Sequence, residues 1–121
     1  MAGTVAASVT LSVRNGDMND NISLNCSGVV QTTQGKAAGI QVVGTTHETL
    51  DVGDVATNGW LIVQNLDATN FVELGRDVSA AFYGVVRVEP GEVAVLRLSQ
   101  ATIYAQADTA SIRLWYNLYE D

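Results

Sequence analysis

The fold is decided by the stretch of residues 82–98, which reads FYGVVRVEPGEVAVLRL. Two runs stand on either side of a Pro-Gly turn, and apolar residues recur in them with the period of two that is typical of half-buried strands. The inward residues predicted for these runs are Phe82, Val86, Val88, Ala94, Leu96 and Leu98. The segment Glu89-Pro90-Gly91-Glu92 suits a type II turn, because proline presets the second position and glycine accepts positive φ at the third. We therefore predict a β-hairpin at this turn.

The same alternation recurs from the first segment of the chain to the last. The other predicted inward rows are Val5, Ala7, Val9, Leu11 and Val13; Ile22, Leu24 and Cys26; and Ile112, Leu114, Tyr116 and Leu118. Weaker strands are predicted at 37–43, 46–52, 71–75 and 102–107, and residues 60–63 are apolar on both faces, as in a central strand. Asn15-Gly16 and Asn58-Gly59 predict tight reversals. With no capped helical pattern, we expect an all-β protein of about eight or nine short antiparallel strands in a two-sheet β-sandwich, either a jelly roll or a related Greek key.

Composition predicts one domain that spans residues 1–121, because 47% hydrophobic residues are enough for a core. The net charge is −7, from 13 acidic and 6 basic residues, and the arginines are scattered, so we expect no nucleic-acid partner. No segment approaches the roughly 20 apolar residues of a membrane span. Met1-Ala-Gly-Thr carries no charged leader, and we expect a protein that is made in a reducing cytoplasm and has no membrane partner.

The sequence offers few residues for catalysis. Cys26 is the only cysteine and His47 the only histidine, which removes most Ser-His-Asp, Cys-His and His-rich metal arrangements. Cys26 is predicted to be buried and His47 to lie at the surface. The acidic pairs at 17–20 and 51–54 are interpreted as solvated turn residues, because Asp, Asn and Gly are the residues that turns select. We therefore predict that the protein is not an enzyme and has neither a cofactor nor a metal.

Two surfaces carry the functional expectations. If the C-terminal apolar row points inward, then Arg113, Trp115, Asn117 and Tyr119 point outward, and Arg, Trp and Tyr are typical of binding hot spots. This face is covered either by another layer of the same protein or by a partner. The first segment also has a small, uncharged face, made of Thr4, Ala6, Ser8, Thr10 and Ser12. A strand with that face either lies inside a sheet or pairs with a neighbouring subunit.

Three segments resemble small virion structural proteins of tailed bacteriophages. They are GWLIVQNLDATNFVELG at 59–75, EPGEVAVLRL at 89–98 and YAQADTA at 104–110, and the resemblance covers roughly residues 46–121. In the first segment Asn65, Asp67 and Asn70 are expected to bond the backbone as Asx turns, and Pro90 with Gly91 forms the turn in the second.

The resemblance implies a capsid decoration or cement protein. Such a protein binds the outer surface of the capsid, bridges subunits of the major capsid protein, commonly forms a homotrimer and is assembled in the host cytoplasm. A net charge of −7 agrees with a place outside the shell, away from packaged DNA. Two alternatives remain open: a carbohydrate-binding module that uses the outward aromatic rings as stacking platforms, and a tail or baseplate component.

Overall fold

The structure, a computed structural model, describes residues 3–121 and is all-β. Contacts divide the chain into two compact units, Met1–Thr33 and Gln34–Asp121. Within the described residues there are ten strands and no helix. The first unit holds β1 (Gly3–Asn15) and β2 (Met18–Gln31). The second holds β3 (Lys36–Val43), β4 (Glu48–Thr49), β5 (Asn58–Asn65), β6 (Val72–Val78), β7 (Ala81–Val88), β8 (Val93–Arg97), β9 (Tyr104–Ala107) and β10 (Ile112–Glu120).

The second unit is a β-sandwich with jelly-roll strand order. One sheet has the order β3-β10-β5-β8 and the other β4-β9-β6-β7, and all neighbours are antiparallel. The pairs are nested, because the first strand of this unit pairs with its last, the second with the next to last, and so on inward. That is the pattern of a long folded ribbon wrapped into two Greek keys. The predicted all-β sandwich is confirmed, with ten strands in the described chain where about eight or nine were expected.

Buried side chains from both sheets form one hydrophobic core. The alternation of β10 is confirmed, because Ile112, Leu114, Tyr116 and Leu118 are buried while the residues between them are not. β5 lies between β10 and β8, as its apolar character predicted, and Leu61 and Val63 are fully buried. The remaining core residues are Val43, Leu50, Val55, Val72, Leu74, Val88, Ile103, Ala105 and Ala107.

The Pro90-Gly91 turn is present, but the predicted hairpin is wrong. The Glu92 N–H donates to the Glu89 carbonyl at 3.0 Å, and Gly91 has a φ of 79°. However, β7 pairs with β6 in one sheet and β8 pairs with β5 in the other. The turn therefore carries the chain across the sandwich. Turn residues specify a local reversal, and the choice of pairing partner depends on the rest of the fold.

The reversal predicted at Asn58-Gly59 is also wrong, because these residues begin β5. A Cβ on Gly59 would lie 2.8 Å from the Tyr119 carbonyl oxygen, so glycine is needed here for close approach of two strands. The Asn58 amide donates to the carbonyls of Gln100 at 3.0 Å and Ala101 at 3.1 Å. The side chain of Asn58 therefore links the start of β5 by hydrogen bonds to the loop that follows β8.

The first unit is a long two-stranded hairpin. Asn15 pairs with Met18 and Gly16 has a φ of 57°, so the predicted Asn15-Gly16 reversal is confirmed. The prediction that its apolar rows are buried is wrong: Leu11 is 60% exposed, Leu24 is 68% exposed, and Cys26 is an exposed free thiol. The alternation correctly identifies the side chains that share a face, but it does not indicate whether any element covers that face.

Candidate functional site

The most distinctive surface of the sandwich is the solvent side of the β3-β10-β5-β8 sheet. We call it the outer face and define it by the outward side chains of these strands. They are Lys36, Ala38, Ile40, Val42, Arg113, Trp115, Asn117, Tyr119, Trp60, Ile62, Gln64, Val93, Val95 and Arg97. They lie outward because they alternate with residues that pack into or against the core.

Strand register places the apolar members of the outer face side by side. Trp115 on β10 lies between Ile40 on β3 and Gln64 on β5, and Gln64 is followed by Val93 on β8. Neighbouring strands are about 4.8 Å apart, so this row extends across the whole sheet. The aliphatic residues at its two ends are well exposed, Ile40 at 55% and Val93 at 64%. The row combines exposed aliphatic side chains with a central indole.

A second row runs parallel to the first. Asn117 lies between Ala38 and Ile62, and Ile62 pairs with Val95. Val42, which pairs with Arg113 at the top of β10, is 63% exposed. All four strands therefore contribute apolar side chains to the outer face, and Gln64 and Asn117 each interrupt one of the two rows. Contiguous exposed apolar patches of more than a few hundred Å² mark interaction sites on soluble proteins.

The charges of the outer face have one sign. Its three charged residues are Lys36, Arg97 and Arg113, whereas none of its members is Asp or Glu, although the chain carries 13 acidic residues. Lys36 Nζ lies 5.8 Å from the centroid of the Tyr119 ring, and Arg97 is paired with Asp121. The outer face is thus a basic and apolar surface on an acidic protein.

The interface residues predicted on β10 lie together on the outer face. Arg113 is exposed, and Trp115, Asn117 and Tyr119 are partly buried. The Asn117 amide donates to Tyr119 Oη at 3.1 Å, which orients the phenol. Sequence reasoning missed the flanking aliphatic residues on β3 and β8. The alternation of β8 contained the signal for its part, since it assigned Ala94 and Leu96 to the core and so placed Val93 and Val95 outside.

The predicted pairing residues of the first strand lie on one exposed face of β1. Thr4, Ser8, Thr10 and Ser12 are all exposed. Thr10 Oγ1 and Ser23 Oγ are 2.9 Å apart, and the Ser12 hydroxyl donates to Asn21 Oδ1 at 3.1 Å. These cross-strand hydrogen bonds use the polar face to hold β1 against β2.

The loop after β5 contains a network of Asx hydrogen bonds from Asn65 and Asp67. The side chain of Asn70, also expected to bond the backbone, instead bonds the hydroxyl groups of Thr69 and Thr109. The buried Asn65 accepts from the Asp67 N–H at 2.9 Å and donates to the carbonyls of Asn70 at 2.9 Å and Val88 at 3.0 Å. Asp67 accepts from the N–H groups of Asn70 at 2.7 Å and Thr69 at 3.1 Å, and these two bonds lower the pKa of its carboxyl group. The network shapes the connection between the two sheets and exposes no unused reactive group.

His47 has a partner that the sequence did not indicate. Its Nε2 lies 2.7 Å from Asp77 Oδ2, and its ring stacks on Phe82 with a centroid separation of 5.5 Å. The side chain is 20% exposed, so His47 lies at the surface but is partly covered by its neighbours. The hydrogen bond from His47 is the largest cause of a lowered pKa at Asp77, and the Ala80 N–H adds to it. Because 30 residues separate the two in sequence, no local motif could have indicated their contact.

One cleft opens at the edge of the sandwich, with a volume of about 390 Å³. Its lining is mainly apolar and includes Leu74, Val86, Leu96 and Ile103, with Arg76 near them. Among residues 3–121 no three His, Cys, Asp or Glu side chains come together as a metal site. The described part of the chain also forms no helix long and apolar enough to cross a membrane.

No protein-family model, curated protein or solved structure matches this chain.

Proposed function

We propose that this chain is a non-enzymatic structural protein of a virion, a capsid decoration or cement protein that docks on the outer capsid shell through its outer face. The observation that carries the proposal is the outer face itself, with exposed aliphatic residues on both edge strands and an indole between them. Jelly rolls occur in viral capsid proteins and in lectins, so the fold agrees with the proposal but does not by itself select it.

The composition of the outer face favours a protein partner. Trp, Tyr and Arg contribute most of the energy in protein interfaces, where they lie in a desolvated centre. Trp115 occupies such a central position, since β3 lies on one side of β10 and β5 and β8 lie on the other. The exposed valines and isoleucine around it add apolar area without adding desolvation cost.

The charges of the outer face favour a partner other than a second copy of the same face. Two identical outer faces would bring Lys36 and Arg113 of each copy toward those of the other, and like charges across an interface cost free energy. An apolar shell surface that carries carboxylates would complement them. The major capsid protein of the virion is the partner that the resemblance implies.

The proposal is tested by binding the purified chain to capsids that lack it and measuring the bound fraction by sedimentation. Trp115→Ala is expected to weaken binding by roughly 30-fold or more, the effect of losing a central hot spot. Tyr83→Ala is the matched control, because Tyr83 is an aromatic residue on β7 of the other sheet and is 54% exposed. Thermal unfolding of both variants checks that the fold is kept.

Equal binding of Trp115→Ala and wild type would contradict the proposal, and so would equal losses in Trp115→Ala and Tyr83→Ala. Arg113→Glu adds a second readout. It reverses one charge of the outer face at an exposed position, so it should weaken binding and reduce its dependence on salt.

A carbohydrate-binding function has one observation in its favour, because Trp60, Trp115 and Tyr119 share the outer face. Aromatic rings on a sheet can stack on sugar rings. A glycan array separates the two functions. Specific glycan binding by wild type that is lost in Trp115→Ala would favour a carbohydrate-binding module, whereas no binding to any glycan together with capsid binding supports the decoration protein.

A further inference from the structure

The two-stranded sheet β1–β2 is a surface of a different kind, which we call the hairpin arm (Gly3–Gln31). Its register extends from Gly3 opposite Gln31 to Asn15 opposite Met18, with one irregularity between Val5 and Ala7. At about 3.4 Å per residue, strands of this length form an arm about 40 Å long. An isolated two-stranded hairpin is marginally stable in water and needs a third element against its apolar side.

One side of the hairpin arm is apolar along nearly its whole length. Val9 lies opposite Leu24 and Leu11 opposite Ile22. The apolar residues of this side are Val5, Ala7, Val9, Leu11, Val13, Met18, Ile22, Leu24, Cys26 and Val29. Near the tip the same side also carries Asp20, opposite Val13, and Asn15, opposite Met18. The opposite side carries the Thr, Ser and Asn residues whose hydroxyl and amide groups bond across the strands.

The area of the apolar side has the size of an interface contribution. Each of the two strands is about 4.8 Å wide and about 40 Å long, so together they present a side of about 400 Å². A stable interface buries about 800 Å² on each partner, so one apolar side accounts for about half of that. The exposed fractions of its central residues, 49% for Val9 and 68% for Leu24, leave most of this area to be covered.

The two edges of the hairpin arm supply further contact area. In the described chain no additional strand pairs with β1 or β2, and neither strand contains a lysine or a proline that would block pairing. Long edges without these residues are templates for pairing with another strand. A partner that offers both an apolar face and a strand edge would cover the apolar side of the arm and pair with the backbone groups of its edge.

The charge distribution of the hairpin arm favours a second copy of this chain as that partner. The arm carries one Arg and two Asp, a net charge of −1 out of −7 for the chain, and all three lie near its tip at Arg14, Asp17 and Asp20. Residues 3–13 and 21–31 have no charge at all. An interface between identical copies brings identical charges together, so an uncharged stem is the part of this acidic protein that suits self-association. We propose that the hairpin arm is a homo-oligomerisation element, which packs its apolar side and pairs its edges with the arm of another copy of this chain.

This inference is independent of the capsid partner, because it uses the other unit of the chain and is tested without a capsid. The sequence predicted that the strand from Thr4 to Ser12 pairs with a neighbouring subunit, and the apolar side of β1 is now added to that contact.

The experiment compares the molar mass of the full chain and two variants by sedimentation over a range of concentrations. Leu24→Glu places a charge in the middle of the apolar side. Asn25→Glu places the same charge one residue further on β2, where it lies on the polar side opposite Ser8. Wild type and Asn25→Glu are expected to form the same discrete oligomer of the 12.8 kDa chain. In Leu24→Glu the dissociation constant should rise by at least about 30-fold.

The thiol of Cys26 gives an independent readout, because it lies on the apolar side two residues from Leu24. Its reaction with a thiol reagent should be slow in the oligomers of wild type and Asn25→Glu and fast in Leu24→Glu. Far-UV circular dichroism checks that each variant keeps its strands. A wild-type monomer at tens of micromolar would overturn the proposal, and so would an oligomer that Leu24→Glu leaves intact.

Discussion

At the scale of single residues, the stability of the sandwich depends on polar side chains that bond the backbone of other elements. Asn65 is fully buried and joins the end of β5 to the loop at Asn70 and to β7 at Val88. Both carbonyls lose their donor if the amide is removed. An unsatisfied buried group costs about 1–3 kcal/mol.

Asn65→Ala is therefore expected to lower the free energy of unfolding by about 2–4 kcal/mol, since two carbonyls lose a donor and a small cavity forms. Urea unfolding measures the change. Thr69→Ala, in the exposed part of the same loop, is the control and should change stability by less than about 0.5 kcal/mol. Similar losses in both variants would show that the loop and not the buried amide is critical.

Asp77 gives the protein a pH dependence of known sign. Its ordinary pKa of 3.8 is lowered in the folded state, chiefly by the hydrogen bond with His47. Between the folded pKa and 3.8 the unfolded chain binds more protons, so this group adds stability that is fully present above 3.8 and is lost as the pH falls through the folded pKa.

The variant Asp77→Asn should be less stable than wild type near neutral pH, and the difference should shrink as the pH falls through the folded pKa. Urea unfolding at several pH values measures it. Asp108→Asn, which changes an exposed carboxylate, is the control. A difference between Asp77→Asn and wild type that stays constant down to about pH 2 would refute the role of this carboxylate.

At the scale of elements, close strand approach depends on glycine at two positions in the sandwich. A Cβ on Gly75 would meet the carbonyl oxygen of Tyr83 and would lie 2.8 Å from the carbonyl carbon of the same residue, where the register of β6 and β7 shifts. These are backbone atoms of the paired strand and they cannot move without breaking the ladder.

Gly75→Ala should therefore lower the free energy of unfolding by about 1–3 kcal/mol or more, the usual cost of overpacking. Gly44→Ala is the matched control, because a Cβ there meets nothing within 4 Å. Thermal unfolding of the two variants should separate them clearly. If Gly75→Ala is as stable as Gly44→Ala, the β6–β7 pairing must relax more easily than its geometry implies.

The strands themselves could be predicted from the alternation of apolar residues, and so could the inward and outward residues of β10. Which strands pair with each other could not be predicted. Pro90 and Gly91 form the expected turn, but the turn joins two sheets, since pairing is decided by nested contacts between residues far apart in sequence. The contact between His47 and Asp77 could not be predicted either, because these residues are also far apart in sequence.

At the scale of the whole molecule, apolar rows with the same sequence pattern are buried in one unit and exposed in the other. In Gln34–Asp121 the rows of two sheets cover each other and form the core, whereas in Met1–Thr33 the described row on the hairpin arm is exposed. The sequence pattern is the same in both, so burial could not be read from it. The outer face could be predicted in part, through Arg113, Trp115, Asn117 and Tyr119, and the exposed arm could not.

The proposed function assigns the two exposed surfaces to two partners. The outer face, basic and apolar, is suited to an acidic and apolar surface on a capsid shell, and the uncharged hairpin arm is suited to other copies of the chain. A protein that acts through such surfaces needs no catalytic pocket.

The proposed decoration role is tested by the copy number of this chain in purified virus particles. Quantitative mass spectrometry gives it as a ratio to the major capsid protein. A decoration protein covers the shell, so we expect a ratio of the same order as one. A few copies in each particle would indicate a tail or baseplate component, and absence from the particles would contradict a structural role in the virion.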